Sequence, residues 1–367
     1  MVDVSLFVPS LRGGGAERVM VMLANGFADR GLKVDLVLAQ AEGPYLSEVS
    51  SSVRVVDLRS RRVLASLPGL VRYLRKVRPE AMLSALNHAN VIAVMARILA
   101  GTDVRLIVSE HNNLSMSSSR SQNWRSRLIP PLMRSMYRKA TGVIAVSKGV
   151  ADDLAMAINF PRDRITVVYN PVVTPELIEK SQKPLSHSWL EGGKPPVILG
   201  VGRLTPQKDF ATLIHAFARV RVKYDCRLVI LGEGELRVEL EQLVASLGIA
   251  DSVLLPGFVE NPFAWMGRVQ LFVLSSRWEG LGNVLIEAMA CGAPVVSTDC
   301  PSGPDEILEG GKWGKLVPVG DVEALAAAII VSLETSKNQL PDVSQRADAF
   351  KQELAVRAYL DLLRGPC

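Results

Sequence analysis

Cysteine, histidine and aromatic residues are all scarce in this 367-residue chain: four, four and 5% respectively. The cysteines (Cys226, Cys291, Cys300 and Cys367) are scattered, with no CxxC pair. That pattern excludes a zinc ribbon and a disulfide framework and fits reduced thiols. Cys291 beside Gly292 lies in an apolar helix-to-strand passage with no base nearby in sequence, and reads as small core filler. Long apolar runs are missing too. The nearest candidate, residues 81–100, is interrupted by Asn87, His88, Asn90 and Arg97, and no stretch reaches the roughly 18 residues that span a bilayer. Residues before Val4–Val8 carry no basic cluster or small-residue cleavage site, so the N-terminus reads as a first strand, not a secretory signal. No period of 20–50 residues recurs, which excludes a solenoid. The GxGxxG fingerprint of a dinucleotide site is absent, both at Gly13-Gly14-Gly15 and at Gly232-Glu233-Gly234.

What is present describes a globular protein, with 48% hydrophobic and 22% charged residues. The length is too great for one ordinary core and predicts two domains. Charge divides unevenly. Residues 1–175 hold 23 Lys and Arg against 13 Asp and Glu, a net of +10, whereas residues 176–367 hold 19 against 24, a net of −5. The excess gathers in two clusters: Arg59, Arg61, Arg62, Arg72, Arg75, Lys76 and Arg78, then Arg120, Arg125, Arg127, Arg134, Arg138 and Lys139. Either alone is an ordinary solvated face; two in one half point to an anionic surface as partner. Aromatics near them are thin (Tyr73, Trp124, Tyr137) and no nucleic-acid motif accompanies them, so a membrane leaflet is expected and nucleic acid is not.

Short apolar, β-branched runs alternate with helical patterns throughout. Strands are expected at Val4–Val8, Val34–Ala39, Val53–Leu58, Ala81–Leu86, Arg105–Ser109, Val143–Val146 and Ile165–Val168, mostly as continuous apolar runs buried on both faces. The segment Asn170–Lys194, rich in proline, reads as an interdomain linker. The alternation restarts with Val197–Val201, Arg227–Leu231, Ser252–Leu255, Leu271–Leu274, Val295–Ser297 and Lys315–Val317, and a single amphipathic helix at about Arg346–Leu363 closes the chain. The fold class expected is α/β: two Rossmann-like, doubly wound domains, 1–175 and 176–345, facing each other across a cleft. A closing helix over 346–367 can cross back to the first domain. Ligands in such sheets sit at the carboxyl ends of the strands.

The residues that carry chemistry fall there. Gly13-Gly14-Gly15-Ala16-Glu17 follows the first strand, where bare backbone N–H groups at a helix start make an anion site; a simple tight turn is the equal alternative. Arg203 and Lys208 flank the turn VGRLTPQKD, set apart from the acidic residues downstream, and can converge on a pair of phosphates. A surface ion pair with Asp209 is the rival reading. Glu279 and Glu287 bracket EGLGNVLIE, with Gly280, Gly282 and Asn283 keeping the loop open to a ligand. Paired carboxylates suit sugar hydroxyls, or a general acid and base; they also occur as mere surface groups. Cations for a diphosphate and acids for hydroxyls together suit a nucleotide-sugar.

VGRLTPQKD, LGEGELR, PGFVENP, LSSRWEGLGNVLIEAMACGAPVVSTDCPSGPDEI and GKLVPVGD resemble the C-terminal domain of the retaining GT-B glycosyltransferases of family four. GGGAERV, LNHANVIAVMARI, VSEHN, VIAVSKGVADDL and VVYNPV are similar to its first domain, so the resemblance covers nearly the whole chain. The resemblance implies that Glu287 bonds the ribose hydroxyls and that Glu279 contacts donor-sugar hydroxyls. It implies that Arg203 and Lys208 hold the diphosphate, and that Gly14 and Gly15 approach the sugar or phosphate. His111 would face the reacting side of the sugar, with Glu110 and Asn112 as neighbouring rivals. Gly257, Phe258 and Val259 belong to the loop expected to read the base, and Gly280, Leu281, Gly282, Asn283 and Val284 to the donor loop. Many members carry Phe-Pro where this chain has Leu281-Gly282, which predicts a looser loop.

The expected activity is retaining hexosyl transfer from a nucleotide-sugar, most frequently a UDP-sugar in this family, to a lipid-linked or saccharide acceptor at the cytoplasmic face of a membrane. No carboxylate is placed as a nucleophile, so same-face substitution is expected, with the departing diphosphate accepting the acceptor's proton. No DxD pair occurs, and no metal or other cofactor is expected. The rivals are a nucleotide-sugar 2-epimerase of the same architecture, which needs no acceptor, and a silent nucleotide-sugar or lipid-binding module. A dinucleotide oxidoreductase is disfavoured by the missing fingerprint.

Overall fold

Val4–Val8 is buried along its whole length, as its unbroken VSLFV run requires of a strand covered on both faces. It is β1 of a wholly parallel sheet in the computed structural model, which describes residues 2–118, 129–191 and 194–365. Arg120, Arg125 and Arg127 of the second basic cluster, and Trp124 among them, lie outside the described residues. With β1 run β2 (Val34–Leu38), β3 (Val53–Asp57), β4 (Ala81–Ala85), β5 (Arg105–Glu110), β6 (Gly142–Ala145) and β7 (Ile165–Val167), in the order β3-β2-β1-β4-β5-β6-β7. A second parallel sheet holds β8 (Val197–Val201), β9 (Arg227–Leu231), β10 (Val253–Gly257), β11 (Leu271–Leu274), β12 (Val295–Thr298) and β13 (Lys315–Val317), ordered β10-β9-β8-β11-β12-β13. In each sheet the order reverses once, between β1 and β4 and between β8 and β11. A crevice opens at the carboxyl ends of such strands.

Two compact units result: Met1–Pro171 with Gln352–Cys367, and Val172–Lys351. Within the second, Phe210, Leu213, Ile214, Phe217 and Val220 bury one face of the helix Phe210–Arg221 against the sheet. Their spacing is that of an amphipathic helix. Five such side chains contribute roughly 10 kcal/mol of gross burial before ordering entropy is charged against them. The core of the first unit includes Val356, Tyr359, Leu360 and Leu363 from the helix Gln352–Arg364. That helix approaches Gly15–Ala28 at Gly26, where an added Cβ would lie 2.6 Å from a methyl of Val356.

Two local expectations are corrected. The expected single helix at about 346–363 is instead Val343–Ala347, a 3-10 turn Asp348–Phe350, an extended Lys351 and then Gln352–Arg364. The cause is non-local: the Phe350 carbonyl accepts from the Val173 amide at 3.0 Å, and Val173 and Lys351 form a parallel bridge. The proline-rich segment read as linker contains the helix Pro175–Gln182, capped by Thr174 whose hydroxyl accepts from the Leu177 amide. Proline at the first helical position starts this helix, and does not break one.

Candidate functional site

In the second unit, the turn 202–208 leaves the carboxyl end of β8 and the loop 275–282 leaves that of β11. These strands are neighbours at the reversal, so two segments far apart in sequence meet. Lys208 Nζ lies 2.6 Å from Glu279 Oε1, with side chains only 17% and 8% exposed. Ser276 Oγ donates to the same carboxylate oxygen at 2.6 Å and is fully buried. One oxygen of Glu279 thus takes both internal donors. The expectation of a carboxylate-free pocket around Lys208 is corrected, because Lys208 is bonded to Glu279. Further bonds fasten the loops: Arg277 N–H to the Gln207 carbonyl at 2.8 Å, Gln207 Nε2–H to the Trp278 carbonyl at 2.9 Å, and Ser275 Oγ–H to the Lys208 carbonyl at 2.8 Å.

Arg203 is exposed on the same turn, and no ion pair to it occurs among the described residues. Asp209, its expected rival partner, bonds Arg277 at 2.9 Å instead. Glu287 is buried on the helix Asn283–Ala290, which starts at Gly282. Gly280, Leu281 and Gly282 are buried; Asn283 and Val284 are half-buried. The expectation of a looser loop does not hold. Leu281 is fully packed, and a Cβ at Gly303 would lie 1.9 Å from its carbonyl oxygen. Gly282 has φ +93°, a conformation closed to proline, so the Leu-Gly pair takes a path that Phe-Pro could not.

Glycines that the sequence left as a failed dinucleotide motif have another use. A Cβ at Gly232 would meet the Gly202 carbonyl oxygen at 2.0 Å, and one at Gly234 the Leu204 carbonyl oxygen at 2.4 Å. Gly232 and Gly234 therefore make room for the backbone that carries Arg203. The Gly232 amide in turn donates to the Gly257 carbonyl at 2.8 Å. After Gly257, Phe258 is exposed at the strand's carboxyl end and Val259 is half-buried.

In the first unit, the glycine turn follows β1, but its amides are not bare. Gly13 N–H and Gly14 N–H donate to Glu17 Oε2 at 2.9 and 2.8 Å. An internal carboxylate fills this part of the expected anion site, leaving Gly15 as the first residue of the helix. A glutamate at the third helical position is the sequence signal for this. His111 follows β5 and is buried, with Nε2 3.1 Å from Ser109 Oγ and Nδ1 without a partner among the described residues. Burial pushes its imidazole down to about 4, so it is neutral near pH 7. Its neighbour Glu110 is engaged elsewhere, accepting from Tyr137 and, at 3.0 Å, from Asn90; burial raises its carboxyl to about 7. Asn112 is exposed. Arg59, Arg61, Arg62, Arg72, Lys76 and Arg78 have no ion-pair partner among the described residues. Leu64 beside them is 70% exposed. Among the described residues no group of three or more His, Cys, Asp or Glu could hold a metal ion, and no helix is long and apolar enough to cross a membrane.

Two parallel, doubly wound sheets with loops at their reversal points are the architecture of the GT-B fold, and the comparisons with known proteins agree. Residues 13–175 match the Glycosyltransferase Family 4 model and residues 195–335 match Glycosyl transferases group 1; the chain belongs to this family of glycosyltransferases. It is 32% identical over 376 residues, covering 100% of both chains, to the N-acetylgalactosamine-N,N'-diacetylbacillosaminyl-diphospho-undecaprenol 4-alpha-N-acetylgalactosaminyltransferase of Campylobacter jejuni. The lipopolysaccharide core biosynthesis glycosyltransferase LpsE of Rhizobium meliloti is 27% identical, with 96% of each chain covered. Among solved structures, Anabaena HepE in complex with UDP and glucose superimposes with a TM-score of 0.81 at 22% identity, covering 99% of this chain and 100% of that one.

Proposed function

We propose that the protein transfers a hexose-type sugar, with retention of configuration, from a UDP-sugar to a lipid-linked saccharide. The observation that carries this reading is the Lys208–Glu279–Ser276 cluster at the reversal of the second sheet. A cation and a carboxylate are held a bond length apart, where the diphosphate and the sugar of one donor need them. Oε1 of Glu279 is occupied by internal donors, which leaves Oε2 for a sugar hydroxyl. Arg203, exposed on the same turn, and Lys208 neutralise the diphosphate as it leaves and so lower the barrier without a metal. Glu287 takes the ribose hydroxyls, and the loop at Gly257–Val259 lies along the base. The bond from the anomeric carbon to the diphosphate breaks as the acceptor oxygen attacks the same face, and the acceptor's proton passes to the departing diphosphate. No carboxylate of the chain is assigned as a nucleophile.

The names of the relatives favour the lipid-linked acceptor. The C. jejuni relative is named for transfer to a diphospho-undecaprenol-linked saccharide and the R. meliloti relative for lipopolysaccharide core biosynthesis. The unpaired cations at 59–78 support residence at the cytoplasmic face of an anionic membrane. The test is thermal stabilisation by UDP-, GDP- and ADP-sugars, since a ligand that binds only the native state raises its melting point. Transfer to a polyprenyl-diphosphate saccharide is then followed with Lys208→Ala. We expect UDP-sugars to stabilise most, and the variant to lose at least 100-fold in turnover with its fold intact. Undiminished turnover would rule this reading out.

A further inference from the structure

A hydrogen-bond chain that ends at His111 starts at Tyr359, 250 positions beyond its middle member Ser109. Tyr359, on the helix Gln352–Arg364, has its hydroxyl 3.3 Å from Ser109 Oγ, and Ser109 Oγ lies 3.1 Å from His111 Nε2. Tyr359 and Ser109 are 0% exposed and His111 is 6% exposed. The direction of the chain follows from counting protons. The Tyr359 hydroxyl has one bonding partner among the described residues, Ser109, so its proton has one acceptor there. The opposite direction would leave a phenolic O–H buried and unmatched, which costs about 1–3 kcal/mol. Tyr359 therefore donates to Ser109, and Ser109, its own proton free, donates to His111 Nε2.

An imidazole that accepts at Nε2 carries its proton on Nδ1 while it is neutral. The ring is neutral near pH 7 because burial lowers its basicity. Nδ1 is buried without a partner among the described residues, and a native fold rarely leaves a buried N–H unmatched: water or a ligand receives it. We propose that Tyr359 is a positioning residue that acts through Ser109 to hold His111 as the Nδ1–H tautomer, so that Nδ1–H is the donor offered to a substrate oxygen. The oxygen is a sugar hydroxyl or a phosphoryl oxygen, both of which accept. On this view His111 is a donor and not the base that removes the acceptor's proton. The ligand's identity rests on the proposed function; the tautomer does not.

The experiment separates the two. In full-length protein labelled with 15N-histidine, one- and two-bond correlations distinguish the protonated ring nitrogen, and only four histidines contribute, His111 being assigned by His111→Asn. The expected result is an Nδ1–H ring at His111, converting towards Nε2–H in Tyr359→Phe and in Ser109→Ala. The first of these keeps the ring that packs in the core; the second leaves the helix untouched. An Nε2–H ring in the unaltered protein overturns the proposal whatever the substrate is. In transfer assays both variants should lose about ten-fold in kcat/KM, about 1.4 kcal/mol of transition-state binding. A tautomer that changes with kcat/KM unmoved overturns the substrate-facing role. Failure of every nucleotide-sugar to react would refute the proposed function while leaving the tautomer result standing.

Discussion

Replacing Glu279 by Gln tests whether the resting chain holds Lys208 where the diphosphate belongs. The pair is separated by 2.6 Å, so at an effective dielectric near 20 its gross attraction is roughly 6 kcal/mol. Most of that is offset by desolvation of both groups. Breaking a fully buried pair from one side costs about 3–5 kcal/mol. Lys208 keeps 17% of its exposure, and we expect about 2 kcal/mol here. For a unit of this size that lowers the melting temperature by about 4–8 °C. The same substitution frees Lys208 for an incoming anion. Titration calorimetry with UDP should therefore show affinity kept or raised, by roughly three-fold for each 0.7 kcal/mol released. Sugar transfer should fall about 100-fold, because a neutral amide replaces the charged acceptor of the sugar hydroxyl. A loss of UDP affinity in parallel with transfer would refute the reasoning, since it would mean that Glu279 supports the diphosphate site and does not compete for its lysine.

Gly234→Ala should raise the KM for donor about ten-fold or more. Its Cβ would meet the carbonyl oxygen of Leu204 at 2.4 Å and force the turn bearing Arg203 to shift; steady-state kinetics with an unchanged KM would show that the turn's position is immaterial. Glu110→Gln should flatten part of the pH dependence of stability. Glu110 has a folded value of about 7 against an ordinary 4.5, so its contribution is complete below about pH 4.5 and is lost as pH rises through 7, by roughly 3 kcal/mol. Urea melts at pH 5 and pH 8 should show the variant gaining on the parent at the higher pH, and an equal difference at both would contradict the shift. Arg59, Arg61 and Arg62 replaced together by Gln should weaken sedimentation with anionic vesicles by roughly 3 kcal/mol, at about 1 kcal/mol per charge. Equal binding of the parent to zwitterionic vesicles would remove the electrostatic account.

The strands were legible because parallel strands covered on both faces must be apolar throughout. Val197–Val201, Arg227–Leu231 and Leu271–Leu274 match the expected bounds to the residue. The break at Lys351 was not legible, because its cause is Val173, 178 positions earlier. At the site, residue types in the two loops pointed to a donor with acidic and basic ends. The meeting of Lys208 with Glu279 depends on β8 and β11 being neighbours, which no local pattern states. No local pattern marks Ser276 as the hydroxyl that donates to the Glu279 carboxylate. Glu17 was readable, since a glutamate three residues past a helix cap commonly turns back onto the cap amides.

The helix Gln352–Arg364 supplies Val356, Tyr359, Leu360 and Leu363 to the core that begins with Val4. Of the two units, the one that starts emerging from the ribosome earlier is thus completed later, because its missing wall emerges only after the whole of the second unit has been made. During synthesis the intervening residues 172–351 can finish folding first, as a continuous segment. Their predecessor waits with an open apolar flank along Gly15–Ala28, and cutting the chain short before residue 352 would leave that flank open for good.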